Sequence, residues 1–184
     1  MAISQIGAVA AALCVLLSLT KPVSAAEDAV ALYERGQTAL TEATQENHRR
    51  DGAQLIKRAA EAGHLPAQYY LGFLYGEGLG VARDPKRALH WFRRAAEKGH
   101  AQAQYAVGLA LLRQPDKREA ARWLRQATDQ GIVDAMFQLA LLFEKGEGIE
   151  ADEAEARRLY RTAADEKDAA AAFNLALMLD EGRG

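Results

Sequence analysis

Between Ala67 and Gly99 the apolar positions describe two helices. Ala67, Leu71, Gly72 and Tyr75 lie three to five apart, the spacing that lines one face of a helix. The stretch Gly76-Glu77-Gly78-Leu79-Gly80 ends that face, since glycine reaches left-handed backbone angles at little cost. Asp84 then stands where a second helix needs an N-cap, with Pro85 in its first turn, where a missing N–H costs nothing. Ala88, Trp91, Ala95 and Ala96 form the buried stripe of this second helix, and Gly99 stops it.

The same pattern recurs along the chain. Alanines equivalent to Ala67 fall at Ala31, Ala103, Ala135 and Ala171, spaced by 36, 36, 32 and 36 residues from first to last. Leu71-Gly72 is matched by Val107-Gly108, Leu139-Ala140 and Leu175-Ala176, and Tyr75 by Leu111, Phe143 and Leu179. The second halves repeat as Ala59-Ala60, Ala95-Ala96, Ala127-Thr128 and Ala163-Ala164, with Leu55, Trp91, Trp123 and Leu159 four positions earlier. One such unit cannot bury its own apolar face; stacked units bury a continuous core. The pattern predicts an all-α solenoid of helix-turn-helix repeats with units 67–102, 103–134, 135–170 and a partial 171–184, preceded by a degenerate capping repeat, 26–66.

Local departures carry further expectations. In the capping repeat, Glu27 to about Thr44 reads as a helix, TEATQENHRRDG as a polar connector, and roughly Gly52–Ala62 as the second helix. The unit from Ala103 joins its helices through Leu112-Arg113-Gln114-Pro115-Asp116, four residues shorter than its neighbours, which predicts a tighter junction. Asp116 with Glu119, and Asp152 with Glu155, match capping boxes. Lys167 replaces the expected stop glycine, so that helix is expected to run on or fray. Residues 171–184 make half a unit, read either as an end helix or as the start of a longer array, the second reading preferred.

Residues 1–25 have the character of a secretory signal: an apolar run from Ile6 to Leu19, then Val23-Ser24-Ala25 as a cleavage site before Ala26. The run is short for a membrane span. No Lys or Arg precedes it, which leaves an uncleaved anchor as the alternative, and the Leu13 before Cys14 suits a lipoprotein site poorly. Cleavage removes the only Cys and all three Ser residues, Ser4, Ser18 and Ser24. The mature chain therefore has no disulfide and no serine or cysteine nucleophile. It keeps 22 basic and 25 acidic side chains, a net charge of −3, which argues against a nucleic-acid binder. The expected location is periplasmic or secreted, with no membrane span after signal cleavage.

The unit resembles the Sel-one-like repeat, a relative of the tetratricopeptide repeat. Ala67, Leu71-Gly72, Tyr75, Gly78, Gly80-Val81, Asp84, Ala88, Trp91, Ala95-Ala96 and Gly99 occupy its signature places. The resemblance implies a right-handed superhelix whose first helices line the concave side, and an adaptor or scaffold function. A cysteine-rich branch of the family binds β-lactams; this chain lacks its paired cysteines, so that activity is not carried over.

Each unit has an aromatic two positions after its alanine: Tyr33, Tyr69, Tyr105, Phe137 and Phe173. With Tyr70, Phe73, Leu109 and Leu141 they read either as packing between repeats or as an apolar strip that holds a peptide, aromatics being favoured anchors. The candidate protein-binding residues are Tyr69, Tyr70, Phe73, Tyr105, Leu109 and Phe137. Tyr70 and Phe73 depart furthest from core spacing. The basic run Lys86, Arg87, His90, Arg93, Arg94 and Lys98 reads as a solvated helix face, or as an attraction for an acidic partner. Glu144, Glu147, Glu150, Asp152 and Glu153 cluster at one glycine loop without the spacing of an EF-hand. His64 and His100 recur at one register position with no clustered third ligand for zinc. No cofactor, metal or catalytic residue is assigned. The expected function is non-catalytic binding of a protein or peptide partner in the envelope or outside the cell, as a regulator of signalling or assembly. The contrasting reading is a cell-wall-active or β-lactam-binding enzyme using carboxylates such as Glu77 and Asp84; a third is a structural spacer in a larger assembly.

Overall fold

The computed structural model describes residues 28–43 and 45–183, so the signal reading of residues 1–25 lies outside the described residues. Among the described residues there are nine helices and no strand: α1 Ala29–Thr41, α2 Glu46–Glu61, α3 Leu65–Glu77, α4 Pro85–Ala96, α5 Ala101–Leu111, α6 Arg118–Asp129, α7 Val133–Lys145, α8 Glu153–Asp165 and α9 Ala169–Asp180. Each helix packs chiefly on the helices just before and after it in the chain. This is an all-α solenoid: four helix pairs and a ninth helix.

The repeat positions become the core. Ala67, Leu71, Ala103, Val107, Ala135 and Ala171 are fully buried, and so are Ala95, Ala127 and Ala163 on the second helices. Small residues allow the pairs to close. A Cβ on Gly72 would come within 2.6 Å of the Phe92 ring, so the glycine of α3 is the socket for a side chain of α4. Phe92 and Leu112 each border two of the apolar clusters and join them into one core. Buried Gln68 and Gln104 tie one repeat to the next: their Nε2 groups donate to the Ala60 and Ala96 carbonyls at 3.2 and 3.3 Å, at the end of the preceding second helix.

The glycine loops also reach back to the preceding repeat. Gly80 has φ +67°, and a Cβ there would lie 2.2 Å from the carbonyl oxygen of Arg49 on α2. Gly148 sits the same way against Lys117 at the start of α6. The shortened α5–α6 connection has no counterpart of this loop.

Several local expectations need correction. Helix α2 begins at Glu46, not near Gly52: the supposed connector forms its first turns, with Arg49 and Arg50 each 3.8 Å from the Glu46 carboxylate. Neither capping box closes. Asp116 accepts from the backbone N–H of Arg118 at 3.0 Å, while Glu119 is taken by Arg93 and Trp123. Asp152 caps Glu155 at 3.0 Å, but the Glu155 carboxylate turns to Arg158. Helix α8 does not run on through Lys167, which adopts φ +70°, the left-handed conformation that Gly63, Gly99 and Gly131 have at the equivalent place.

Candidate functional site

The aromatic residues divide into two groups. Tyr69 is locked at the junction of the second and third pairs, its ring stacked on His100 at 4.6 Å and tilted against Phe92 at 5.6 Å. The half-buried His100 has its pKa lowered by desolvation, and its neutral Nδ1 accepts from the Ala103 N–H at 3.3 Å, capping α5. Tyr105 packs on the core of the later repeats; burial pushes its pKa up, with the Asp134 and Asp168 carboxylates adding to the rise. Phe137 lies 5.8 Å from the ring of Tyr160. Tyr160 is fully buried and donates its hydroxyl to Glu144 at 2.9 Å; desolvation, foremost, drives its pKa upward. Tyr69 is therefore a joint between repeats, Tyr105 packs into the core of the later repeats, and Phe137 closes the two helices of its own pair.

Tyr70 and Phe73 form the other group. Their rings stack at 5.9 Å, and the Tyr33 ring meets Tyr70 edge-on at 6.2 Å. Tyr33 also lies 4.9 Å from His64 and accepts a hydrogen bond from Gln37 at 2.9 Å. Burial and the neighbouring Tyr70 raise its pKa. Phe73 remains 38% exposed, unusual for so large an apolar ring. Tyr70 stacks on it and Tyr33 backs Tyr70, so an aromatic platform spans α1 and α3. Leu109 takes the register position of Phe73 on α5 and is half-buried. Sequence spacing singles out Tyr70 and Phe73, while Tyr33 reads with the other repeating aromatics either as packing or as part of an apolar strip and is not among the candidate binding residues; its contact with Tyr70 joins the first two repeats.

The charged candidates are engaged elsewhere. Arg93 pairs with Glu119 at 2.8 Å, Arg94 lies over the Trp91 ring at 4.9 Å, and Arg87 is 3.3 Å from Asp84. In the acidic loop, Glu147 pairs with Lys117 and Glu144 with Arg183. Among the described residues no group of three or more His, Cys, Asp or Glu side chains could hold a metal ion. Asp84, named as a possible acid or base, caps α4 by accepting from the Lys86 and Arg87 N–H groups at 3.0 Å, and Glu77 lies exposed at the end of α3. No described helix is long and apolar enough to cross a membrane.

The sequence pattern of the family described as Sel1 repeat matches residues 24–64, 65–100, 101–132, 133–168 and 169–184. Among solved structures, a Sel1 repeat protein from Oxalobacter formigenes is similar with a TM-score of 0.78 at 28% identity, over 89% of this chain and 68% of that one. The protective antigen c5321 of uropathogenic Escherichia coli, which displays an SLR fold, is similar with a TM-score of 0.76 at 28% identity. That likeness covers 84% of this chain and 34% of the antigen. The immunity protein Pa5087 of Pseudomonas aeruginosa, at 23% identity and a TM-score of 0.53 over 86% of this chain and 60% of that one, shares the fold alone. No curated protein matches the chain.

Proposed function

The chain belongs to the Sel1 repeat family, and we propose that it is a non-catalytic adaptor of the bacterial envelope that holds a protein or peptide on the exposed side of its first helices. Sel1 repeat proteins generally mediate protein–protein interaction, which supplies the class. The single observation that supports the site is the Tyr33–Tyr70–Phe73 platform, an aromatic surface left partly open where Tyr69, Tyr105 and Phe137 pack into the array. Such rings bury large area with few rotatable bonds, so they suit a binding anchor. The signal-like residues 1–25 support export to the periplasm or beyond, where the partner would be met. A role in envelope signalling or assembly follows from that location and from the family's scaffold character.

The test is pull-down from an envelope fraction with the wild-type protein and with Tyr70→Ala/Phe73→Ala. The double variant should lose most of the captured partner, a loss of about 2 kcal/mol or more for a paired anchor. Its helical circular dichroism should remain, because Phe73 is already partly solvated. Unchanged capture by a folded double variant would place the binding surface elsewhere.

A further inference from the structure

The platform continues along the array as a strip that crosses three first helices. At equivalent positions, three residues apart, α3 carries Tyr70 and Phe73, α5 carries Ala106 and Leu109, and α7 carries Gln138 and Leu141. Phe73 is exposed and the other five are half-buried. They make two rows. Phe73, Leu109 and Leu141 form an apolar row three repeats long. Beside it, Tyr70 and Gln138 set a phenol and an amide on either side of the small Ala106. Charge stands at the edges of this side: Glu77, Arg113 and Lys145 each lie four residues beyond the apolar row, and Asp134 lies four residues before Gln138, all exposed. The remaining carboxylate of α7, Glu144, is turned to Tyr160 on α8.

The interval along the rows is set by how the first helices pack. Tyr69 of α3 stacks on His100 at the start of α5, and Tyr105 of α5 packs on the cluster that holds Ala135 and Leu139 of α7. Helices in such contact lie about 8–10 Å apart, so the apolar row repeats at that interval. A bound segment must bring its side chains round in step. An α-helix returns a side chain to one face about every 5.4 Å, so every second turn would fall between repeats. A strand does so about every 7 Å and drifts out of step. A polyproline II segment, with three residues per turn and a rise of about 3.1 Å, does so about every 9 Å, one side chain per repeat. Its backbone makes no internal hydrogen bonds, so its carbonyls are open to the Tyr70 hydroxyl and the Gln138 amide. Grooves lined by aromatic rings are the known seat of such segments. A charge laid on the uncharged rows would lose its hydration without a partner.

We propose that the strip is a track for an uncharged, extended partner segment in the polyproline II conformation, with an apolar side chain at every third residue. The three apolar side chains seat on Phe73, Leu109 and Leu141 in turn. This rests on the reading of the first-helix side as the binding face, and it names the chemistry of the occupant.

The probe is a fluorescent peptide of four Leu-Pro-Gln triplets, titrated into the purified protein and followed by anisotropy. Saturable binding is expected. It should weaken at least about tenfold, as when one large apolar side chain is no longer buried, for a peptide of the same residues with leucine at every second position. Four Glu-Pro-Gln triplets should not bind. In the protein, Leu109→Asp and the milder Leu109→Ala should weaken binding of the first peptide, while circular dichroism stays helical because Leu109 is only half-buried. No saturable binding at about 1 mM peptide, equal binding of the rearranged peptide, or equal binding of the glutamate peptide would overturn the proposal and leave the platform itself standing. Saturable binding indifferent to both Leu109→Asp and Phe73→Ala would overturn the proposal together with the choice of binding face.

Discussion

At the residue scale, the same ring type serves two purposes according to what stands beside it. Tyr69 meets Phe92 from its own pair and His100 from the next, and becomes a joint. Tyr70, one position on, meets only rings of the first helices and remains half-buried. The His100 joint also makes the fold respond to pH. Its pKa is lowered by burial, so the folded chain favours the neutral ring, whose Nδ1 must stay unprotonated to cap α5. The stability this gives is fully present above the unfolded value of about 6.5 and is lost as pH falls through the lower folded pKa. Melting temperatures measured between pH 7.5 and pH 5 should therefore fall for wild type. They should fall less for His100→Asn, which keeps a capping acceptor that does not titrate. Equal slopes would mean that His100 is not the group responsible.

At the scale of elements, the helix pairs were legible because alanines and small residues recur every 36 or 32 residues with helical spacing inside each unit. What escaped was decided by side chains that look interchangeable in sequence. The first turns of α2 are polar throughout, and only the pairing of Glu46 with Arg49 and Arg50 marks them as helix. Glu119 has capping-box spacing, but Arg93 arrives from another helix and takes its carboxylate. Of the candidate site, the aromatic positions were legible and spacing singled out Tyr70 and Phe73; the contact of Tyr33 with Tyr70 was not, because it depends on how the first helices of two repeats pack side by side. Lys167 shows the same limit. It stops α8 in a left-handed conformation that costs a side-chain-bearing residue roughly 1 kcal/mol. Lys167→Gly should therefore raise stability by about 0.5 kcal/mol, after the greater freedom of glycine in the unfolded chain is set against the relief. Urea denaturation would measure it, and a destabilised variant would show that the lysine side chain makes a contact worth more than the strain.

At the scale of the whole molecule, each helix leans on its sequence neighbours and on little else, so stability is close to a sum of adjacent interfaces. Such an array can leave a long side open for recognition without weakening its core, and here that side carries the Tyr33–Tyr70–Phe73 platform. The most direct test puts a photo-crosslinking amino acid at Phe73 in cells and, separately, at Arg94, which covers Trp91 on the second-helix side. Irradiation should join Phe73 to a discrete partner band in the envelope fraction and leave Arg94 without it. A partner band from Arg94 and none from Phe73 would contradict the account.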